Sequence, residues 1–462
     1  MAKTKNSSKQ ITARKLSAAI LSRIDLKKTQ ADQIIQQLMP RTAQRQKATD
    51  LVYGTLRNRS AIDMVIAESA GCPAKRIPDR ILNIIRIGGY ELIYCPQTAE
   101  YAIVNEAVET AKTTGGKKQT AFVNAVLRKI LSRIKQRKIE LKNANPKSTL
   151  PQDTDFGCEF DIEFLPDPTK SPAEYFSNAF SLPFWLVEDW LNDFGLEKTR
   201  RICFASNRKP SIYIRVNTLQ TSAEKLAEKL RADCLETQII DDTILKIKSP
   251  KQLTALAGFC EGCFTIQDLT AAQAVKLLRP EQGWKILDLC AAPGTKTTQL
   301  AELTEDKAII IATDINRKRL EKLEENIERL RLKSIRVIKY EDLQKVTDEL
   351  NGFDAVILDV PCSNTAVLAK RPEARYRISK QAIKNLIKIQ SQLLERAASL
   401  IFAGGILCYS TCSIQKEENQ LQIQKFLQNN SSFSLEIEKL TLPKASELDF
   451  DGGYVAILKR EP

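Results

Sequence analysis

The chain contains no histidine in 462 residues. Histidine is the side chain that most readily exchanges protons at neutral pH, and it is also the commonest metal ligand. Its absence excludes a Ser-His-Asp triad, an imidazole general base and any histidine-ligated metal centre. Proton transfer by this protein must therefore use carboxylates, thiols, lysine, tyrosine or water.

Long apolar segments are also missing. No run approaches the roughly 20 residues of a membrane-spanning helix, and residues 1–10 lack the apolar core of a signal peptide. The eleven cysteines are scattered and odd in number, which favours free thiols in a reducing compartment. Cys260 and Cys263 have zinc-like spacing, but no second pair accompanies them, so we expect no metal site. These features predict a soluble cytoplasmic protein without a membrane partner.

The net charge of +14 is concentrated near the start of the chain. Residues 1–140 contain 26 Lys and Arg against 11 Asp and Glu, whereas the other 322 residues contain 44 against 45. A basic module joined to a nearly neutral one is typical of a protein that holds nucleic-acid phosphates with one part and carries out chemistry with the other. The alternative is a basic surface that only maintains solubility.

The basic region, residues 1–140, has apolar residues at helical spacing and predicts a helical bundle. Its last two helices are split at Gly115 and Gly116, and the second is expected to continue through Lys138. Six cations fall within eleven residues there, more than one helix face needs for solvation. We therefore expect the phosphate contacts at Arg128, Lys129, Arg133, Lys135, Arg137 and Lys138.

Two further regions precede the C-terminal part of the chain. Residues 141–180 are rich in Pro, Asp, Ser and Thr and show little periodicity, which predicts an interdomain linker. Residues 181–280 predict an α+β segment: a short helical entry, a strand at 211–219, and a helix that follows a Ser/Thr cap at 221–222.

From 281 to 462, short β-branched strands alternate with amphipathic helices at 296–303, 317–332 and 380–402. This alternation predicts an α/β domain with a doubly wound, mostly parallel sheet, whose ligands bind at the C-terminal ends of the strands. A Gly-containing turn follows the strand that carries Asp288. The dinucleotide fingerprint G-x-G-x-x-G is absent, so the turn alone does not distinguish NAD from S-adenosylmethionine.

Acidic residues end successive strands of this predicted domain. Asp314 can accept both ribose hydroxyls of a nucleoside, Asp342 suits the amine of an adenine, and Asp359 ends the fourth strand. One such residue could be a helix cap, but a series of them is better explained by a nucleotide cofactor.

Two cysteines follow the last two of these strands, Cys362 after a proline and Cys412 after a threonine. A thiolate that adds to C6 of a pyrimidine makes C5 nucleophilic, and a second group must later remove the C5 proton. Paired cysteines beside a nucleotide-cofactor turn therefore predict methylation of cytosine at C5. The alternative for Cys412 is a buried core thiol, which is how we interpret Cys408. The target base must be unpaired or swung out.

Several segments resemble the bacterial ribosomal RNA cytosine-5 methyltransferases of the Sun (RsmB) type, and the resemblance covers nearly the whole chain. They are RVNTL at 215–219, QDLTAAQ at 267–273, LDLCAAPGTKTTQLAE at 287–302, DVPCSNTAVLAKRPEARYR at 359–377 and YSTCSIQKEEN at 409–419. VNEAVETAKTTGGKKQTAFVNAVLRKI at 104–130 is similar to the NusB-type RNA-binding domain of this family.

The resemblance implies an all-α NusB-like bundle, an α+β RNA-binding segment, and a Rossmann-like domain that binds S-adenosylmethionine and methylates small-subunit ribosomal RNA. It implies that Cys412 is the nucleophile, that Cys362 assists product release, and that Asp359 holds the cytosine near N3. The implied cofactor-binding positions are Cys290, Ala291, Ala292, Pro293, Gly294, Thr295, Lys296, Asp314, Asp342 and Asp359.

The sequence departs from the family pattern at Thr295, Asn364 and Ala366, where glycine is usual. Asparagine tolerates positive φ but alanine does so poorly, so we expect a different path for the Cys362 loop. We expect the protein to be a monomer. We also expect that it does not act on DNA, because a DNA cytosine methyltransferase would lack the Thr-Cys motif.

The alternatives are a methyltransferase for another RNA and a non-catalytic ribosome-assembly or antiterminator-like RNA-binding factor, which would need neither thiol. A methyltransferase for small molecules or proteins would have no use for the basic region.

Overall fold

The structure, a computed structural model, describes residues 11–26, 31–248 and 253–462. The chain folds into two compact units. The first contains the described residues as far as Lys209 together with Leu368–Arg377, and the second contains Pro210–Val367 and Ile378–Pro462. None of the helices in the described ranges is both long and apolar enough to cross a membrane.

The first unit is mainly helical, as the apolar spacing predicts. A close approach of two helices, α5 and α7, is made possible by Gly88, because a Cβ there would lie 2.8 Å from the side chain of Leu127. The helices are α1 (Ala13–Leu21), α2 (Ala31–Leu38), α3 (Arg45–Arg57), α4 (Arg59–Ala70), α5 (Asp79–Tyr94), α6 (Glu100–Thr114) and α7 (Lys117–Arg133).

The helix predicted to run through Lys138 ends earlier, at Arg133. Residues Ile134–Glu140 form strand β1, which pairs antiparallel with residues 156–160. The prediction was wrong because the helical pattern of this short segment is overridden by strand pairing with residues some 20 positions later, which the local sequence does not reveal. Lys135, Arg137 and Lys138 therefore lie on a strand.

The predicted linker at 141–180 is folded, and that prediction was also wrong. Strands β2 (Thr149–Pro151) and β3 (Phe156–Phe160) complete a three-stranded sheet in the order β1-β3-β2. Helix α8 (Pro172–Phe180) then packs against α9 (Phe184–Asn207), which is interrupted at Gly195. Residues 181–280 consequently do not form one body, since their first part, through Lys209, belongs to the first unit.

A buried arginine anchors Leu368–Arg377 within the first unit. The Arg375 guanidinium is 2% exposed and donates to the backbone oxygens of Arg57, Phe180 and Ser206 and to the Asn207 side chain. Burial lowers its pKa to about 10. Carbonyl dipoles thus take the place of a carboxylate partner for this cation.

The second unit begins with a small antiparallel sheet in the order β5-β6-β4-β7. The predicted cap is confirmed: the Ser222 side chain accepts a hydrogen bond from the backbone N–H of Lys225 at the start of α10. The elements are β4 (Ile212–Val216), α10 (Ala223–Ala232), β5 (Thr237–Asp241), β6 (Ile244–Ile247) and β7 (Phe264–Ile266).

The larger sheet of this unit has seven strands in the order β10-β9-β8-β11-β12-β14-β13. The first five strands are parallel to one another, and β14 runs antiparallel to both of its neighbours, β12 and β13, so the predicted mostly parallel sheet is confirmed. Its elements are α11 (Leu269–Leu278), β8 (Lys285–Asp288), α12 (Thr295–Leu303), β9 (Ile309–Ala312), α13 (Arg317–Leu330), β10 (Ile335–Val337), α14 (Leu343–Leu350), β11 (Phe353–Asp359), α15 (Lys380–Ala398), β12 (Ile401–Thr411), α16 (Gln420–Asn429), β13 (Phe433–Thr441) and β14 (Gly453–Arg460).

Both faces of the large sheet are buried. In β11, Val356 and Leu358 belong to one hydrophobic cluster, and Ala355 and Ile357 belong to another. Continuous apolar strands of this kind are expected where helices cover a parallel sheet on both sides. The polar groups at the strand ends are therefore held by a rigid apolar body.

Candidate active site

Four neighbouring parallel strands, β9, β8, β11 and β12, end at the same edge of the large sheet. Asp288 ends β8 and Asp359 ends β11, where it lies opposite Ser410 of β12. Because the register is matched, the loops that follow these strands begin side by side. These loops carry the predicted site residues.

The turn between β8 and α12 borders a cleft of about 220 Å³. Gly294 immediately precedes α12 with φ of +101°, and a Cβ at this position would lie 2.3 Å from Leu323. Thr295 starts the helix without positive φ, so this departure from glycine introduces no strain. The cleft is lined by Ile266, Gln267, Asp268, Ala271, Asp288, Cys290, Ala291, Ala292, Pro293, Thr295, Lys296 and Asp359.

Asp288 contributes a buried carboxylate to this cleft. One of its oxygens accepts a hydrogen bond from the Thr297 hydroxyl at 2.7 Å, while no side-chain or backbone group in the described ranges donates to the other, Oδ1. Burial raises the pKa of Asp288 to about 7, against the opposing effect of the Thr297 hydrogen bond. A buried acceptor without a partner fits a ligand that carries an ammonium or hydroxyl donor.

Asp314 follows β9 and is only 6% exposed. Its carboxylate accepts from the backbone N–H groups of Asn316 at 2.8 Å and Ala292 at 3.2 Å, so it is fixed against the turn that lines the cleft. Asp342 lies elsewhere: it is exposed, at the end of a short 3₁₀ helix after β10, and does not line the cleft. The structure thus brings Asp288 and Asp314 to the turn but leaves Asp342 outside it.

The two predicted cysteines are in contact. The Sγ atoms of Cys362 and Cys412 lie 3.0 Å apart, and Cys412 Sγ also lies 3.3 Å from Asn364 Oδ1. Cys362 is 8% exposed, whereas Cys412 is partly exposed. The contact with Cys412, and then burial, raise the pKa of Cys362 well above that of a free thiol. Cys408, by contrast, is fully buried in a hydrophobic cluster, as expected of a core thiol.

The Cys362 loop accommodates both of its departures from glycine. Asn364 adopts φ of +62° and its side-chain amide donates to the Cys362 carbonyl at 2.9 Å. Ala366 does not have positive φ, and its N–H donates to the Cys412 carbonyl at 3.1 Å. Ala366 thus avoids the backbone region that alanine tolerates poorly, and Asn364, which tolerates it, occupies it instead. The different path expected for this loop stays a prediction.

A lysine from the cofactor turn reaches the end of β11. Lys296 Nζ lies 2.6 Å from Asp359 Oδ2, and the other oxygen of Asp359 accepts from the Ser410 hydroxyl at 3.2 Å. Burial lowers the pKa of Lys296, but the Asp359 carboxylate outweighs it and the net pKa is raised. Lys296 therefore remains a cation between the cofactor turn and the strand that leads to Cys362.

Sequence reasoning missed a buried carboxylate, Glu418. It is 0% exposed and accepts hydrogen bonds from the Ser363 and Ser413 hydroxyls, which follow the two cysteines, and from the side chain of Gln390. Glu418 lies in the segment YSTCSIQKEEN at 409–419, whose only predicted site residue is Cys412. The residues around it in the sequence are polar, which is typical of an exposed segment, so no local signal reveals that Glu418 is buried.

The six predicted phosphate contacts are not equivalent. Arg137 donates to the carbonyls of Glu91, Leu92, Cys95 and Thr98, so its guanidinium is occupied in closing the end of α5. Solvent-exposed cations of this set are Arg128, Lys129, Lys135 and Lys138, and Arg133 is half-buried.

Three domain families match the chain. The family described as 16S rRNA methyltransferase RsmB/F matches residues 275–458, the NusB family matches 11–132, and an RsmF/B-like ferredoxin-like domain matches 182–254. The NusB match and the four-stranded sheet with α10 agree with the predicted helical and α+β parts of the fold.

Full-length relatives and solved structures extend this likeness. The probable ribosomal RNA small subunit methyltransferase B of Synechocystis sp. is 31% identical over 97% of this chain and 96% of its own. The crystal structure of PH0851 is 25% identical, with a TM-score of 0.73, over 97% of this chain and 99% of that one. NSun6 from Pyrococcus horikoshii with SFG has the same fold over 61% of this chain and 98% of its own, at 23% identity and a TM-score of 0.53.

The cleft fits a nucleoside cofactor with a charged amino group, because it combines a glycine turn at a helix N-terminus with the unpartnered oxygen of Asp288. The extent of the match to a relative above 30% identity settles the family. The chain belongs to the RsmB family of S-adenosylmethionine-dependent ribosomal RNA small-subunit methyltransferases.

Proposed function

We propose that the protein methylates C5 of a cytosine in 16S ribosomal RNA through a covalent adduct between Cys412 and C6 of the base. The observation that carries this proposal is the contact between two thiols, 3.0 Å apart, at the end of the strand pair next to the cofactor turn. A reaction that needed only a nucleophile would require only one cysteine at this site. The chemistry of C5 methylation requires a nucleophile and a separate base, and a contacting pair meets both needs.

The first step is attack by the Cys412 thiolate on C6 of the cytosine. The new C6–S bond takes its electrons from sulfur, the C5=C6 π pair shifts to form C4=C5, and the C4=N3 π pair becomes a lone pair on N3 that takes up a proton. Asp359, at the end of β11, holds the base near N3 and stabilises this protonated form. Its ion pair with Lys296 fixes the carboxylate while leaving it 41% exposed and accessible to a base.

Methyl transfer and release complete the cycle. S-adenosylmethionine supplies an electrophilic methyl group when it is bound in the cleft. The C4=C5 pair of the adduct would form the new C5–CH3 bond, while the pair of the broken S–CH3 bond would remain on the cofactor sulfur. The N3 lone pair would restore C4=N3, and N3 would release its proton. Cys362, as a thiolate, then takes the proton from C5. The C5–H electrons restore the C5=C6 double bond, and the C6–S bond breaks to return Cys412 as a thiolate.

The cofactor would be held by the turn from Cys290 to Lys296 and by Asp314, which does not line the cleft itself but is fixed against that turn through the Ala292 N–H and has lone pairs left to accept from ribose hydroxyls. Asp359 borders the same cleft. Asp342 would have to act from outside the cleft, so we assign it the weakest role in the set.

The RNA is held by the basic first unit, where Arg128, Lys129, Arg133, Lys135 and Lys138 are the phosphate contacts. Arg137 is excluded from this role because its donors are bonded to backbone carbonyls. A basic patch separate from the reacting groups lets the enzyme bind a long RNA while only one base enters the site.

Bisulfite sequencing of ribosomal RNA tests the proposed function, since 5-methylcytosine resists deamination. Cells without the gene should lose one protected cytosine in 16S RNA, and the purified protein with S-adenosylmethionine should restore it on that RNA. Cys412→Ala is the matched control and should not restore it. If the 16S pattern is unchanged but a protected cytosine is lost in another RNA, the protein is a cytosine-C5 methyltransferase whose substrate is that other RNA. No change in any RNA would favour the non-catalytic RNA-binding alternative.

Replacing Gly294 by Ala should weaken S-adenosylmethionine binding by about tenfold or more, because a left-handed residue with a Cβ costs roughly 1–2 kcal/mol before the clash with Leu323 is counted. Calorimetry on the purified protein measures the affinity. Gly283→Ala is the control, since Gly283 also has positive φ but has open space around it and lies outside the cleft. Equal affinities in all three proteins would remove the turn from the cofactor site.

The two thiol variants should behave in opposite ways. Cys412→Ala should abolish both methyl transfer and covalent RNA complex, because no adduct begins without the nucleophile. Cys362→Ala should accumulate a complex that resists denaturation when S-adenosylmethionine is present, because elimination stalls after methyl transfer. A denaturing gel with labelled RNA measures both. A covalent band in Cys412→Ala and none in Cys362→Ala would reverse the roles.

Reversing two exposed cations of the first unit should reduce RNA affinity and its salt dependence. Each lost phosphate contact should lower the log-log slope by about 0.7–0.9, so Arg128→Glu with Lys129→Glu is the test variant. Lys388→Glu with Lys425→Glu makes the same change of charge on exposed residues of the second unit. Filter binding across a salt series compares them, and equal slopes in the two variants would contradict the assignment.

A further inference from the structure

Glu418 joins the two cysteine loops through the residue that follows each thiol. One of its oxygens accepts from the Ser363 N–H at 2.9 Å, and the other accepts from the Ser363 hydroxyl and, at 2.6 Å, the Ser413 hydroxyl. The two hydroxyls also lie 3.1 Å from each other. Ser363 and Ser413 are directly bonded to Cys362 and Cys412, so this carboxylate fixes both sulfur positions at once.

The remaining donor to Glu418 is Gln390 of α15, whose amide also donates to the carbonyl of Pro361, at 3.0 Å in each case. The donors to the carboxylate are therefore all neutral: a backbone N–H, two hydroxyls and an amide. Four such donors satisfy the oxygens of a buried carboxylate but do not cancel its charge. The charge consequently acts on whatever lies next to it, in a region where water does not screen it.

The surroundings of the two thiols are electrostatically unequal. Glu418 is among the groups that raise the pKa of Cys362, after the contact with Cys412 and burial. On the other side, Lys296 has its pKa lowered by burial and raised by Asp359 and then by Cys412, so its ammonium group interacts favourably with a Cys412 thiolate. Tyr409 of β12 also interacts with this pair, and burial, followed by Cys362 and Glu418, raises the pKa of its phenol well above the ordinary value, so that it stays neutral.

We propose that Glu418 is a positioning residue that holds the two thiols in contact and keeps their shared proton on Cys362, so that Cys412 ionises first. The inference rests on the proposed function in one respect, the assignment of Cys412 as nucleophile. It explains how two chemically identical groups 3.0 Å apart acquire different roles before RNA binds. A pair with equal surroundings would divide the first thiolate between both sulfurs.

Glu418→Gln tests the proposal because it removes the charge while keeping the shape. The amide oxygen can accept from the Ser363 N–H and from Gln390, and the amide N–H₂ can donate to the two serine hydroxyls, which are able to accept. Glu417→Gln is the matched control, since it removes one negative charge from the neighbouring, partly exposed residue. Thermal unfolding of each variant confirms that it folds.

The measurement is the pH profile of alkylation by iodoacetamide, quantified at each cysteine by mass spectrometry without RNA or cofactor. Midpoints are compared, not rates, because Cys362 is buried and reacts slowly. In the unaltered protein Cys412 should react at lower pH than Cys362. In Glu418→Gln the Cys362 midpoint should fall by about one pH unit or more. The Cys362 midpoint should stay unchanged in Glu417→Gln, and the midpoints of the exposed Cys234 and Cys260 should stay unchanged in both variants.

An unchanged Cys362 midpoint in folded Glu418→Gln would overturn the proposal, and so would a lower midpoint for Cys362 than for Cys412 in the unaltered protein. The comparison of Cys362 with Cys412 in the unaltered protein can be made even if Glu418→Gln does not fold. Glu418→Asp retains the charge, so the Cys362 midpoint should stay high in that variant. Because the readout needs neither RNA nor methyl transfer, these outcomes are separate from the fate of the proposed function.

Discussion

The parallel pairing of β11 with β12 is the constraint on which the site depends. It aligns Asp359 with Ser410, so two loops that start side by side carry cysteines separated by 50 residues of sequence. Both strands are buried on two faces by apolar side chains, and a slip of one residue would move the side chains of each cluster to the opposite face, into the other cluster. The hydrophobic packing of the sheet thus fixes the register, and the register fixes the distance between the sulfurs. Catalytic geometry here is a consequence of core packing.

The charged groups around this strand pair are held in place before any ligand arrives. Lys296 and Asp359 form an ion pair at the edge of the cleft, Asp288 keeps one oxygen without a partner, and Glu418 is satisfied by neutral donors. Each arrangement desolvates a charge, which destabilises the fold relative to an apolar alternative. Groups fixed in this way need not reorganise when charge develops on the substrate, and that property lowers the barrier to reaction.

Local patterns in the sequence were sufficient for the five parallel strands of the large sheet, for α10, α12, α13 and α15, and for the cofactor turn, because each depends on apolar periodicity, a cap or one glycine. They failed where distant residues decide. The helix end at Arg133 depends on pairing of β1 with β3, and the use of Arg137 depends on carbonyls of α5. Glu418 resembles any polar residue in the sequence, and its burial exists only once both cysteine loops are folded. Motifs therefore locate the reacting thiols but not the residues that make them unequal.

The absence of histidine gives the thiol pair its significance. A general base usually titrates near neutral pH, and imidazole does so without help. Here the contact with Cys412, followed by burial, raises the pKa of Cys362 well above that of a free thiol. A base with so high a proton affinity is poorly suited to exist as a free thiolate. In the proposed mechanism Cys412 becomes bonded to carbon, so the two sulfurs no longer share a proton and the largest contribution that raised the pKa of Cys362 is removed. Formation of the adduct would itself make Cys362 easier to ionise, so the base becomes available at the stage of the reaction that requires it.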